Sequence, residues 1–226
     1  LGKEIDHPVS TAYDRAMKTR DLSWHRALLH RRTLPAIAAL VGASLFCFAL
    51  SEMIQRLYPD RPTVPDLLFT LLPEVPVLAF VTDPIMIAAI VLLFWHIFGR
   101  DRNHLPFYFF TVGIAYVFRG LLMILTPLGR PTGNLDSYGV SVLVGLKQHG
   151  MFPSGHTMLA MAIYYLIDGK RHRGFKRAAG LLALAEMIAL ILSRGHYSID
   201  VAGGVMLSLR VDGWLTRYKE RFRITG

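Results

Sequence analysis

Long apolar blocks recur along this chain and constrain its fold more than any other feature. A helix needs about 20 mostly apolar residues to cross the hydrocarbon core of a bilayer. Apolar blocks occupy residues 33–57, 77–98, 106–128, 154–168, 178–194 and 198–215. With 53% hydrophobic and 18% charged residues, the chain is too apolar for a soluble domain of its length. We therefore predict an all-α integral membrane bundle of six transmembrane helices.

Basic residues are distributed unevenly between the two sides of this predicted bundle. If the amino terminus is cytoplasmic, the segments beside the spans carry fourteen Lys or Arg on the inner side and four on the outer side. This asymmetry is the positive-inside pattern, and it explains most of the net charge of +9 without a nucleic-acid partner. We expect both termini in the cytoplasm, a bacterial inner membrane as the location, and an active site that faces outward.

The predicted topology divides the chain into three segments. Residues 1–32 form a cytoplasmic amino-terminal segment, in which "DLSWHRALLHRRT" has the pattern of an interfacial amphipathic helix. Residues 33–216 form the six-helix membrane domain, and residues 217–226 form a basic cytoplasmic tail. Five prolines between positions 59 and 76 exclude a continuous helix there. We predict that the short apolar piece 67–72 lies flat at the outer interface.

Two polar stretches stand at the ends of apolar blocks, "MFPSGHTMLA" at 151–160 and "SRGHYSID" at 193–200. The predicted topology places His156 at the outer start of the fourth span and His196 just before the sixth. Asp200 follows His196 by four residues, so the two share a helical face and the carboxylate can accept a hydrogen bond from the imidazole. Arg119, in the third span, and Arg194 belong to the same outer layer.

Arg119 requires a partner, because a charge near the middle of a bilayer costs about 2.5–3.5 kcal/mol. Helix amino termini attract anions. In "PSGHT", Gly155 allows close approach of a ligand and Ser154 adds a hydroxyl donor. Arg119, Arg194 and the helix ends therefore predict a phosphate-binding site, and Glu186 is the competing structural partner of Arg119.

We expect the two histidines to have different roles in phosphoryl transfer. His196, oriented by Asp200, is the expected nucleophile, and a covalent phosphohistidine would follow. His156 is the expected general acid and base. Two histidines and an aspartate could also bind zinc, but the nearby arginines oppose a cation or a haem, so we expect no metal and no cofactor. A transporter or channel is the alternative outside the enzymes, although its polar site would lie at the midplane.

Several of these motifs resemble those of a known superfamily. "PSGHT" and "HYSID" resemble the second and third signatures of the type-2 phosphatidic acid phosphatase superfamily, and are most similar to its sphingomyelin synthase branch. "PTVPDLLF" (62–69) resembles the P-L-P-D motif that follows the first helix of that family. "YVFRGLLMILTPLGRP" (116–131) resembles its arginine-bearing third helix. The resemblance extends over residues 33–216.

This resemblance implies a six-helix enzyme with a catalytic triad of His156, His196 and Asp200, in which His196 is phosphorylated. It also implies that Arg119 and Arg194 contact phosphate and that no metal takes part. The synthase branch implies transfer of a phospholipid headgroup to a lipid alcohol such as ceramide or diacylglycerol. The proline of "PSGH" is phosphatase-like, whereas the K-x₆-R-P motif of phosphatases is absent and "SRGH" leaves one residue where phosphatases have five. Water therefore stays open as an acceptor, which would make the enzyme a lipid phosphate phosphatase or a phospholipase C-type hydrolase.

Overall fold

The computed structural model describes residues 23–131 and 149–224, and these residues form helices and turns without a β-strand. The predictions for residues 1–22 and for 132–148 of the outer loop lie outside the described residues. Each of the six long helices overlaps one predicted span, which confirms the all-α fold. They are α1 (Thr33–Leu57), α2 (Ala79–His96), α3 (Leu105–Leu125), α4 (Gly155–Leu166), α5 (Arg173–Leu192) and α6 (Ser198–Leu215).

Short helices join the long ones. A five-residue helix, Leu67–Leu71, occupies the predicted interfacial piece, and Asp66 caps it by accepting a hydrogen bond from the Leu68 N–H. Helical turns connect α2 to α3 almost without a break. The other short helices are Trp24–Leu28, Pro76–Leu78, Ile97–Asp101, Arg102–His104 and Thr216–Phe222.

Two helical stretches are long and apolar enough to cross a membrane by length and composition. These are Thr33–Leu57 and the 50-residue run Pro76–Leu125, which contains both α2 and α3. By contrast, α4 has only 12 residues and is about 18 Å long at 1.5 Å per residue, which is short of a hydrocarbon core of about 30 Å. Six separate spans and two cytoplasmic termini therefore stay a prediction.

Helices α1 and α3 run parallel and pack closely through glycines. A Cβ built at Gly113 would lie 3.2 Å from the Leu40 Cα, and one at Gly120 would lie 3.2 Å from the Cys47 Cα. Because both contact points advance along the two helices in the same direction, α1 and α3 are parallel. A chain that crosses the bundle back and forth requires this direction for its first and third helices.

Helix α4 occupies the centre of the bundle, where it contacts α2, α3, α5 and α6. It lies closest to α6, since a Cβ at Gly204 would come within 2.9 Å of the Ser154 carbonyl oxygen. One turn further along α6, the Ser208 hydroxyl donates to the carbonyl oxygen of Met158. These contacts make α4 and α6 parallel and bring their amino termini together.

The opposite end of the bundle, where α2 and α6 finish, carries most of the basic residues. Here the Asp101 carboxylate accepts hydrogen bonds from Tyr108 Oη at 2.6 Å and Lys219 Nζ at 2.8 Å, and pairs with His104 Nδ1 at 2.6 Å. Burial by itself would raise the pKa of Asp101, but these hydrogen bonds and the Lys219 charge outweigh it and hold the pKa well below its usual range. The contacts attach the segment after α6 to the turn before α3.

Exposed apolar side chains surround the bundle. Soluble monomers rarely expose apolar surface on this scale, whereas contact with lipid explains it. All three tryptophans of the chain, Trp24, Trp95 and Trp214, are at least 47% exposed, and each stands near the basic end, where tryptophans commonly mark a membrane interface. Other exposed apolar residues include Val41, Leu45, Val91, Leu125, Leu181 and Met206.

Candidate active site

A backbone hydrogen bond joins the two polar sequence motifs. Ser154 caps the amino terminus of α4, where its Oγ accepts from the Thr157 N–H at 3.3 Å. The Ser154 N–H in turn donates to the carbonyl oxygen of Asp200 at 2.9 Å. Ser154 and Asp200 are both fully buried, so the start of α4 is fixed against the first turn of α6. The structure thus places the predicted residues Ser154, Gly155 and His156 beside Asp200.

His196 and Asp200 form the predicted pair. Nδ1 of His196 lies 3.2 Å from Oδ2 of Asp200, and the same oxygen accepts from the Tyr197 N–H at 3.0 Å. With Nδ1–H donating to the carboxylate, Nε2 keeps its lone pair. This tautomer is the one that a nucleophilic histidine requires.

His196 lies between α5 and α6, outside both apolar segments, and its side chain is only 12% exposed. Burial lowers the pKa of His196 below its ordinary value, and the nearby charges of His156 and Arg119 lower it further. The hydrogen bond and the charge of Asp200 raise the pKa but do not reverse the shift. The lowered pKa favours the neutral imidazole, the form that a nucleophilic histidine requires.

His156 has a partner that the sequence did not suggest. Its Nε2 lies 3.1 Å from Oδ1 of Asp83, a residue in the first turns of α2. When Nε2–H donates to this carboxylate, Nδ1 is the nitrogen that can give or take a proton. Asp83 could have been found from its position, because an acidic residue inside an apolar run is costly and usually functional.

Arg119 is 2% exposed and lies at the amino terminus of α4. Its Nε donates to the Pro153 carbonyl oxygen at 3.1 Å, and its Nη1 donates to Sγ of Cys47 at 3.1 Å. A Cβ at Gly155 would lie 2.9 Å from Nε, so glycine is the residue that admits the guanidinium here. Within the described part of the chain, no carboxylate pairs with Arg119. Glu186 is buried without a hydrogen-bond partner there, and it interacts electrostatically with His156 and Asp83.

Arg194 makes protein contacts that the sequence did not predict. Its Nη2 donates to the carbonyl oxygens of Phe69 at 2.7 Å and Leu72 at 2.9 Å, and the guanidinium lies 4.2 Å from the centre of the Phe69 ring. Arg194 therefore holds the carboxyl end of the short helix Leu67–Leu71. Its Nη1 is buried and has no hydrogen-bond partner among residues 23–131 and 149–224, and contact of Arg194 with phosphate stays a prediction.

The backbone of Arg194 adopts a left-handed conformation with φ of 57°. The Arg194 N–H donates to the Ile191 carbonyl oxygen at 3.2 Å, and the Gly195 N–H donates to that of Leu190 at 2.9 Å. This is the Schellman arrangement, in which glycine usually occupies the left-handed position. An arginine there costs about 1 kcal/mol, and it directs the chain from the end of α5 toward His196.

The site's histidines and carboxylates could in principle bind a metal ion. Across the part of the chain that the structure describes, no group of three His, Cys, Asp or Glu side chains has an arrangement that could hold a metal ion. The pairs His156–Asp83 and His196–Asp200 each use one imidazole nitrogen for a carboxylate. A reaction without a metal stays a prediction that chelation can test.

Comparison with known proteins gives one family and several relatives. The family model described as AtPDCT1/2 matches residues 45–216, which include every candidate site residue. Phosphatidylcholine:diacylglycerol cholinephosphotransferase 2 of Arabidopsis thaliana is 34% identical over 130 residues, covering 56% of this chain and 40% of that protein.

Two nematode proteins match over longer stretches at lower identity. Phosphatidylcholine:ceramide cholinephosphotransferase 1 of Caenorhabditis elegans is 26% identical over 201 residues, 75% of this chain and 43% of that protein. Sphingomyelin synthase-related 2 of the same organism is 23% identical over 190 residues, 72% of this chain and 58% of that protein. The chain thus spans between 40% and 58% of the length of these three relatives. The matches support the resemblance to the synthase branch, while membership of the wider superfamily stays a prediction.

Proposed function

The chain belongs to the AtPDCT1/2 family, and from this premise we propose that it is a membrane phosphotransferase that moves a phospholipid headgroup to a lipid alcohol. The observation that carries the proposal is the pairing of His196 with Asp200 at 3.2 Å, beside the start of α4, which the Ser154–Asp200 hydrogen bond fixes there. Phosphocholine is the proposed group and diacylglycerol the preferred acceptor. The plant relative named for this pair of lipids has 34% identity, against 26% for the nematode relative named for ceramide.

In the first step, Nε2 of His196 attacks the phosphorus of the donor lipid. The N–P bond forms as the bond from phosphorus to the diacylglycerol oxygen breaks, and His156 Nδ1 delivers a proton to that leaving oxygen. Arg119 and the free N–H groups at the start of α4 stabilise the charge on the non-bridging oxygens. The unpartnered Nη1 of Arg194 is the further donor in this proposal.

In the second step, the acceptor hydroxyl attacks the phosphorus of the phosphohistidine. His156 takes the hydroxyl proton, the new O–P bond forms, and the N–P bond breaks to restore neutral His196. Asp83 orients His156 throughout, as Asp200 orients His196. Water in place of the lipid alcohol would release free phosphocholine, which is the hydrolase alternative.

For the orientation, we propose that the basic end of the bundle faces the cytoplasm and that the active site opens on the opposite side. The position of the exposed tryptophans supports an interface at the basic end. Asp60 is exposed, so a cysteine in its place should react with an impermeant thiol reagent from outside. The native Cys47 is buried and should not react with the reagent. Reaction only after permeabilisation would reverse this orientation. The relatives come from a plant and a nematode and give no support to a bacterial inner membrane.

The proposed function is tested by incubating the purified chain with headgroup-labelled phosphatidylcholine in vesicles that contain EDTA. Separate samples receive diacylglycerol of a distinct acyl composition, ceramide, or no acceptor. We expect labelled phosphatidylcholine with the new acyl chains, little product from ceramide, and no loss of activity in EDTA. Release of water-soluble phosphocholine alone would support the hydrolase instead. Absence of any product, or dependence on an added metal, would contradict the proposal.

A further inference from the structure

The proline-rich segment 62–72 lies directly against the segment 194–198 that carries His196. The Val64 N–H donates to the Tyr197 hydroxyl at 3.3 Å, and the Phe69 ring stacks on the Tyr197 ring with centroids 5.8 Å apart. The contacts of Arg194 with Phe69 and Leu72 join the same two segments. Sequence resemblance had placed a motif at 62–69 without assigning it any role.

Asp66 makes the most direct connection between these segments. One carboxylate oxygen accepts from the Leu68 N–H at 2.9 Å and caps the short helix Leu67–Leu71. The other oxygen accepts from the Ser198 N–H at 2.5 Å, at the first residue of α6. One side chain thus satisfies a backbone donor on each of the two segments.

His196 depends on its neighbours for its position. Its own N–H makes one long hydrogen bond, 3.3 Å, to the Leu190 carbonyl oxygen. The residues on both sides of it make shorter hydrogen bonds. Arg194 donates to the carbonyl oxygens at the end of the short helix Leu67–Leu71, and the Ser198 N–H donates to Asp66. The Asp200 carboxylate must meanwhile hold both the Tyr197 N–H and the His196 ring. If Asp66 were removed, the Ser198 N–H would become a free donor that competes for Asp200.

We propose that Asp66 is a positioning residue for His196. Its carboxylate fixes the backbone that follows His196, so that Asp200 stays available to the imidazole and Nε2 stays directed at phosphorus. The reaction in this inference rests on the proposed function, whereas the structural role of Asp66 does not. Both carboxylate oxygens of Asp66 accept from backbone N–H groups, so Asp66 acts on His196 through the backbone.

The test compares three variants of the full chain. Asp66→Ser keeps a good helix cap for Leu68 but has no second oxygen that reaches Ser198. Asp66→Asn has the shape of the native residue and can accept from only one of the two N–H groups. Asp60→Ser is the matched control, because Asp60 is exposed in the same connection. We expect kcat to fall about 10- to 100-fold in both Asp66 variants, since small misplacements of a reacting group have effects of this size. KM should change little, and the control should match the wild type.

The pH profile separates positioning from a general loss of fold. Burial lowers the pKa of the His196 imidazole, and the charges of His156 and Arg119 lower it further, whereas Asp200 raises it. When Asp200 is drawn toward Ser198, the acid limb of kcat should move to lower pH. The proposal would be overturned if an Asp66 variant gave less folded protein but kept the wild-type pH dependence of kcat for each folded molecule. An unchanged kcat in either Asp66 variant would overturn it as well.

Hydrogen exchange distinguishes failure of this inference from failure of the proposed function. The Ser198 amide should exchange faster in Asp66→Ser than in Asp60→Ser, whatever reaction the protein catalyses. If the wild type transfers no headgroup, the proposed function fails, and the exchange comparison still decides whether Asp66 holds this segment. Equal exchange rates at Ser198 would overturn the role of Asp66 even in an active enzyme.

Discussion

The backbone N–H of Ser154 donates a hydrogen bond to the carbonyl oxygen of Asp200 at 2.9 Å. Together with the close packing of Gly204 on Ser154, this contact holds the start of α4, with His156, beside the start of α6, with the His196–Asp200 pair. Neither residue is exposed, so water does not compete for the bond. The proposed division of labour between the two histidines depends on this junction.

Gly155→Ala should impair catalysis by displacing Arg119. The added methyl group would lie 2.9 Å from Nε and 3.1 Å from Cζ of the guanidinium, which is held by Pro153 and Cys47. Since Arg119 is expected to bind the phosphate, kcat should fall about 100-fold, and inhibition by vanadate should weaken in parallel. Gly42→Ala is the matched control, because a Cβ there meets nothing within 4 Å. Unchanged vanadate inhibition in Gly155→Ala would show that Arg119 does not bind the phosphate.

Substitutions at Arg194 separate the role of its backbone from that of its side chain. Arg194→Gly and Arg194→Ala both remove the guanidinium, but only glycine adopts a φ of 57° without strain. The glycine variant should therefore exceed the alanine variant in unfolding free energy by about 1 kcal/mol, while both lose kcat to a similar extent. Denaturant unfolding in detergent and the transfer assay measure the two effects. Equal stability would contradict the strain, and wild-type kcat in both would remove Arg194 from the site.

Asp83→Asn should slow the reaction most where a proton must be delivered. Asparagine can still accept from Nε2–H of His156 but lacks the charge that stabilises a protonated ring. We expect a loss of about 100-fold with phosphatidylcholine and a much smaller loss with p-nitrophenyl phosphorylcholine, whose leaving group needs no proton. Asp60→Asn should have no effect on either substrate. Equal losses on both substrates would show that Asp83 supports the fold and not proton transfer.

Asp101→Asn should destabilise the basic end of the bundle without altering the active site. The pKa of Asp101 is held below its unfolded value of about 4. The stabilisation it provides is therefore complete above that value and is lost as the pH falls through the folded pKa. At about pH 7 we expect a loss of about 1–3 kcal/mol in unfolding free energy, and this difference from the wild type should narrow toward about pH 3.

Glu220→Gln is the control for this prediction, because Glu220 is 74% exposed and its pairs with His104 and Arg223 are weak surface contacts. Thermal unfolding of both variants, measured across the pH range, makes the comparison. A destabilisation of Asp101→Asn that stays constant with pH would rule out its carboxylate charge as the cause.

The apolar blocks were sufficient to predict the helices, because burial in lipid or in a core requires an apolar helix of a certain length. The first span, 33–57, coincides with α1 at both ends. The pairing of His196 with Asp200 was also predicted from local spacing, although His196 precedes α6 and meets the Asp200 carboxylate where that carboxylate accepts from the Tyr197 N–H at the helix start. Both predictions depended on short-range regularities that a sequence displays directly.

Contacts between distant segments could not be predicted in the same way. The pairing of His156 with Asp83 depends on how α2 packs against α4, and no local pattern contains that information. Arg194 was predicted to contact phosphate, and the structure adds that it donates to two carbonyl oxygens at the end of a helix more than a hundred residues earlier. Asp66 reaches the backbone next to His196 because the short helix Leu67–Leu71 lies against the start of α6.

The most direct test of the account is to trap the covalent intermediate on His196. Wild-type protein is mixed with phosphatidylcholine labelled in its headgroup, without an acceptor, and quenched in alkali, which preserves phosphohistidine. We predict that mass spectrometry will find the label on the peptide that contains His196, and that added diacylglycerol will discharge it. An equal amount of diacylglycerol should be released, measured in a parallel sample extracted at neutral pH because alkali hydrolyses its acyl esters. His196→Gln should carry no label. Label on another residue, or transfer by the wild type with no labelled protein at any time, would contradict the central role of His196.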